Sequence, residues 1–178
     1  MVKIGDHTVK TVKLWFYVLI ACFLWYAVAY GEPIVIQPIL PNPVMTPGDT
    51  IPGVTREKIC LSGYTGSVRN VTQSNRISVF VMYFLDPRKD RFEVDHLISL
   101  ELGGSNDIKN LWPQSYTTKP WNAHVKDKLE NRLHNEICDG ILTVEEAQEA
   151  VRNDWIKTYC EKFDDLQEDC AVYLKGKE

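Results

Sequence analysis

The hydrophobic pattern divides the chain into three regions. Residues 14–30 form an uncharged apolar run with many aromatic side chains, among them Trp15, Phe16, Phe23 and Trp25. From Glu32 to Gly53, six prolines at positions 33, 38, 41, 43, 47 and 52 alternate with Ile and Val. Proline at that density removes backbone donors and blocks helix, so residues 31–53 read as a stiff, extended linker. The folded domain is then expected over residues 54–178. Within it, positions 77, 80, 81 and 84 suit a helix, although the Val and Phe content of Ile77 to Leu85 also suits a strand; helix is favoured, ended by Asp86-Pro87. Phe92 to Ile98 reads as a short strand, Gly103-Gly104-Ser105-Asn106-Asp107 as a turn, and Asn110-Leu111-Trp112 as the return strand, stopped by Pro113. A loop leads to a helix from Asn122 to Ile137, which Gly140 closes. Thr143-Val144-Glu145-Glu146 is a capping box; it opens a second helix whose buried face is Ala147, Ala150, Val151 and Trp155. The remainder is helical, amphipathic and acidic. The expected class is α+β, a small hairpin set among helices.

Lys3, Lys10 and Lys13 precede the apolar run, which makes residues 1–30 a signal peptide or a membrane anchor. Its length is at the lower limit for crossing a bilayer, so hydropathy leaves both readings open. Ala27-Val28-Ala29 has the small-x-small form of a cleavage site, and Leu19-Ile20-Ala21-Cys22 has the form of a lipidation site. Each outcome places the domain outside the cytosol: periplasmic, secreted or membrane-anchored. Four cysteines follow the leader, Cys60, Cys138, Cys160 and Cys170, an even number that favours two disulfides in an exported chain. No two of them show the close spacing of zinc fingers or ribbons. Three pairings are possible, and Cys60 with Cys138 is the first expected, since it would tie the start of the domain to the end of its central helix. Cys160 and Cys170 would lie about 15 Å apart on one continuous helix, too far for a disulfide, and pair only if the chain turns near Asp164-Asp165.

Charge narrows the class further. A formal net charge of -4 over 178 residues argues against a protein that coats nucleic acid generally. The acidity is concentrated at the end: Asp139 to Glu178 holds 5 basic and 11 acidic residues, against 12 and 12 from Tyr30 to Cys138. A polyanion would therefore approach the middle of the chain, where Arg91 precedes, and Lys126 follows, an adjacent Asp95-His96 pair.

That pair carries the chemistry. An Asp beside a His at the end of an apolar strand sets a hard oxygen ligand next to a base that is neutral near pH 7. Stepping about 100° per residue along the central helix gathers Leu129, Leu133 and Ile137 into an arc centred near Asn122. Asn122 is thus expected to point at the hairpin, Lys126 to lean inward toward a phosphate, Glu130 or Glu101, and His124 to face away. Phosphodiester hydrolysis needs a nucleophile at neutral pH, charge neutralisation and help for the leaving oxygen. His96 suits proton abstraction, and Asp95 with Asn122 suits one Mg²⁺ or Mn²⁺. Asn110 is expected to pin the loop between the strands by side-chain hydrogen bonds to backbone, orienting His96. Trp112 and Trp121 read as packing residues, and His134 as structural.

At these positions the sequence resembles the HNH endonucleases of the ββα-metal, or His-Me finger, superfamily. The matching text is Phe92-Glu93-Val94-Asp95-His96-Leu97-Ile98, Leu100-Glu101-Leu102-Gly103-Gly104-Ser105-Asn106, Asn110-Leu111-Trp112-Pro113, and Asn122 through Asn131. Ile59 to Thr65 resembles a segment that precedes the core in small exported or phage-associated bacterial members. The resemblance covers residues 54–155. It implies a ββα core, one divalent ion, His96 as general base, Asn110 shaping the loop, and Asp95 and Asn122 as metal ligands. A second His is common where Asn122 stands, which leaves the choice of metal open. The implied activity is cleavage of DNA, with RNA open as a second substrate, at low sequence specificity through phosphate contacts. The competing class is a membrane-tethered binding or scaffold module with an inactive core of the same shape.

Overall fold

The computed structural model describes residues 40–86, 88 and 92–177. The leader, the first part of the proline-rich segment and Arg91 lie outside the described residues. Three helices come first, α1 (Arg56–Ile59), α2 (Tyr64–Val68) and α3 (Gln73–Met82). Strands β1 (Phe92–His96) and β2 (Leu111–Ser115) then form an antiparallel hairpin, and α4 (Ala123–Cys138), α5 (Val144–Lys162) and α6 (Gln167–Lys175) complete the chain. Two short 3-10 turns, Leu100–Leu102 and Ile108–Asn110, occupy the connection between the strands. The class is α+β, as expected, and no described helix is long and apolar enough to cross a membrane. The ambiguous segment is helical. It starts before its apolar pattern does because the Thr72 side chain accepts from Asn75 N–H and caps α3.

The hairpin register pairs Asp95 with Trp112 and His96 with Leu111. Pro113 does not stop β2, contrary to expectation; it pairs with Val94 inside the strand. Leu97 N–H donates to Asn110 O at 2.7 Å, and bonded pairs alternate along an antiparallel ladder. Val94 and Pro113 therefore form a non-bonded pair, where the missing proline donor costs no ladder bond. At the end of β1 the Asp95 side chain meets α4 through Lys126, and His96 beside it lines the same cleft.

The core lies between the hairpin, α4 and α5. Leu129, Leu133 and Ile137 of α4 and Val151, Trp155 and Tyr159 of α5 are fully or almost fully buried. Trp112 is buried and Trp121 meets Trp155, Tyr159 and Tyr173 edge-on, so both expected packing tryptophans pack. The Thr143–Glu146 capping box forms as read. Both disulfides are present, Cys60–Cys138 and Cys160–Cys170. The second forms because α5 ends at Lys162 and Phe163 takes extended backbone before α6 begins. Two disulfides are compatible with an oxidising compartment outside the cytosol.

The proline-rich segment needs correction as a linker, since from Leu40 onward it is stitched to the domain. Thr46 Oγ1 donates to Leu111 O at 2.9 Å, Gly48 N–H to Lys109 O at 3.0 Å and Ile51 N–H to Gly103 O at 2.9 Å. The prolines lack donors, but the residues between them keep theirs and reach loop carbonyls.

Candidate functional site

The loop between the strands is built around Asn110, which is fully buried. Its Oδ1 accepts from Ile98 N–H at 3.0 Å, and its Nδ2 donates to Ile98 O and Ser105 O, each at 2.9 Å. This is the side-chain pin expected of it. The double glycine has two reasons: Gly103 takes a left-handed φ of 82°, and a Cβ on Gly104 would lie 1.7 Å from Ile98 O. Pinning the loop fixes the end of β1, and with it the Asp95-His96 pair.

These two residues open onto a cleft of about 330 Å³. His96 is 3% exposed, and its Nε2 lies 3.3 Å from Asn106 Oδ1. Burial lowers its pKa most; Asp95 and Asn106 work against that, and the charges of Arg69 and Lys126 reinforce it. The imidazole is therefore held neutral at pH 7, as a proton acceptor must be.

Asp95 meets the central helix through Lys126. The Lys126 ammonium, wholly buried, donates to Asp95 Oδ2 at 2.7 Å, to His96 O at 2.7 Å and to Glu130 Oε1. Burial alone would favour its neutral form, but the two carboxylates outweigh burial and hold it charged, with its pKa above the usual lysine range. The inward lean read from the helical wheel is correct. The expected phosphate contact is not what this geometry provides, because all three ammonium donors are committed inside the protein.

The cleft wall is acidic. Glu93, Glu101, Asp127 and Glu130 line it together with Asp95. Burial raises the pKa of each of the first four, and neighbouring carboxylates add to the rise. Tyr116 donates to Glu93 Oε2 at 2.6 Å, and that bond is the main reason its own hydroxyl is pushed up to about 12. The buried Ser99 hydroxyl also lines the cleft and has no hydrogen-bond partner among the described residues.

Asn122 does not join this group. It is the N-cap of α4, with extended backbone (φ -130°, ψ 178°), and its Oδ1 accepts from Val125 N–H at 3.2 Å. Its Nδ2 donates to Thr118 O and Pro120 O. Both ends of the amide are used in closing the loop onto the helix, and Asn122 is not among the cleft residues. Asn122→Ala is accordingly expected to lower stability by about 1 kcal/mol, the usual cost of a lost cap, with an unchanged metal requirement. Chemical unfolding and a metal titration of activity measure the two effects separately. A raised metal requirement would return Asn122 to the site. His124 is exposed and lies against the Tyr116 ring, as the wheel indicates. His134 is structural, its Nδ1 2.9 Å from Glu101 O.

The hard oxygen donors and negative charge of the cleft are of a kind that Mg²⁺ or Mn²⁺ would fit; Asp95 and Asp127 line it, and Asn122 does not. Among the described residues, no three His, Cys, Asp or Glu side chains are arranged to hold an ion by themselves. Such an ion would take most of its ligands from solvent and substrate, as Mg²⁺ commonly does.

The cation that sequence reasoning missed is Arg69. It is exposed, lies just after α2 and lines the cleft near His96. Its sequence signal was present, since it follows the Ile59 to Thr65 segment by a few residues. No protein-family model matches this chain, and no curated protein or solved structure is significantly similar to it.

Proposed function

We propose that this protein is a divalent-metal-dependent endonuclease of HNH type, exported from the cytosol and cleaving DNA with little sequence preference. The observation that carries the reading is His96: a buried, neutral imidazole at the end of a pinned hairpin, opening onto an acidic cleft with one arginine at its edge. His96 takes a proton from water, and the resulting hydroxide attacks phosphorus as the bond to the 3′ oxygen breaks. Arg69 meets a non-bridging phosphate oxygen and keeps the backbone in the cleft. Asp95 and Asp127 would hold a divalent ion there, which would supply charge neutralisation for phosphodiester cleavage. Lys126 maintains the arrangement from inside by fixing the Asp95 carboxylate and the His96 carbonyl.

The acidic wall supports a requirement for metal, because a polyanion entering so many carboxylates is repelled unless a cation intervenes. The test is digestion of supercoiled plasmid and of RNA by the purified protein in Mg²⁺, in Mn²⁺ and in EDTA. Nicking and linearisation in metal but not in EDTA are expected. A folded, disulfide-bonded protein that cleaves neither substrate in either metal would overturn the proposal.

A further inference from the structure

We infer that Asn106 is a positioning residue: it sets which nitrogen of His96 accepts a proton, and it grips the backbone on both sides of Arg69. The effect on rate rests on the nuclease reading; the effect on His96 does not.

An amide side chain can be turned end for end, and its neighbours decide which end is which. Val68 O accepts only and lies 2.8 Å from Asn106, so the atom facing it is Nδ2. Asn70 N–H donates only and lies 3.1 Å away, so the atom facing it is Oδ1. Reversing Asn106 would set oxygen against oxygen and N–H against N–H. The same Oδ1 faces His96 Nε2 at 3.3 Å, and an oxygen acceptor there requires Nε2 to carry the proton. A neutral imidazole protonated at Nε2 has its lone pair on Nδ1. Among the described residues Nδ1 has no hydrogen-bond partner, so it is the nitrogen left to take a proton from water.

The second role follows from the other two contacts. They hold residues 68 and 70, which flank Arg69, where the chain leaves α2 in extended conformation (φ -66°, ψ 117°). Asn106 is itself held next to a fixed point, because Asn110 Nδ2 donates to the carbonyl of Ser105. A single loop side chain thus couples the base on one element to the arginine on another.

The experiment is long-range proton–nitrogen NMR on the histidines of the full chain, labelled with ¹⁵N, at a pH where His96 is neutral. His96 is expected to show one form, protonated at Nε2 and bare at Nδ1. Asn106→Ala is expected to convert it to a mixture of tautomers and, in plasmid digestion, to lower kcat by about 100-fold, the scale of a misplaced catalytic group. Asn106→Asp keeps the acceptor for His96 and Asn70 but loses the donor to Val68 O. It should retain the Nε2–H form and most of kcat while KM rises through Arg69, and it serves if the alanine variant fails to fold. A wild-type His96 protonated at Nδ1, or tautomers unchanged in Asn106→Ala, would overturn the inference. Wild-type protein with the expected tautomer but no cleavage would overturn the nuclease reading and leave this assignment of His96 standing.

Discussion

His96→Ala is expected to lower phosphodiester cleavage by about 10²- to 10⁴-fold, the range assigned to a positioned acid–base group, with little change in KM. Imidazole added to the buffer should restore part of the rate, since the cavity left by the ring opens onto the cleft. The pH profile gives a second check. Burial holds the His96 pKa below its ordinary value of 6.5, so the base form persists into mildly acidic solution. Activity should therefore fall on the acid side below the pH at which a free histidine would lose it. An alanine variant equal to wild type would remove His96 from the mechanism. Activity lost at the ordinary histidine pKa would mean that the ring is solvated in the working state.

Much of the fold was legible because local rules and tertiary packing agree there. The Gly103-Gly104 turn, the Thr143 capping box and the inward Lys126 each follow from backbone geometry or helical period alone. The Cys160–Cys170 bridge could be stated as a condition, a turn near Asp164-Asp165, and the chain meets it. Asn122 shows where the method stops. A helical wheel assumes that each residue turns with the helix, but an N-cap has extended backbone and its side chain folds back on the first turn. Projecting Asn122 onto the wheel therefore assigned it a direction that it does not have.

Pro113 and the segment from Leu40 to Gly53 fail for a related reason. Proline restricts its own donor, whereas pairing depends on whether the neighbours need that donor. At Pro113 the ladder does not use it, and around Pro47 the adjacent Thr46 and Gly48 make the bonds instead. Arg69 and Asn106 were not singled out because each meets His96 from a separate segment, Arg69 from the end of α2 and Asn106 from the loop between the strands. Their roles depend on three-body geometry, which no periodicity encodes.

Lys126→Met is expected to destabilise the fold by about 3–5 kcal/mol, the usual loss when one partner of a buried ion pair is removed. Methionine keeps much of the stem volume, so the loss reports charge more than cavity. The ammonium satisfies two carboxylates and a backbone carbonyl at once, and the Glu130 side chain is only 6% exposed. Without it, Glu130 has no positive partner in its buried position and must protonate. That gives the effect a definite pH dependence. Burial already sets the folded pKa of Glu130 above its unfolded value, opposed by Lys126, and removing the lysine raises it further. A carboxyl raised in this way contributes stability below its unfolded pKa and loses it as pH rises through the folded one. Urea unfolding should thus find the deficit larger at about pH 8 than at about pH 5. Glu130→Gln in the same background should recover part of the deficit at the higher pH by removing the stranded charge. If Lys126→Met were as stable as wild type but bound nucleic acid more weakly, the ammonium would be a phosphate ligand after all. Its three internal bonds would then have to open in the complex, and Asp95 would be released from the interior at the same time.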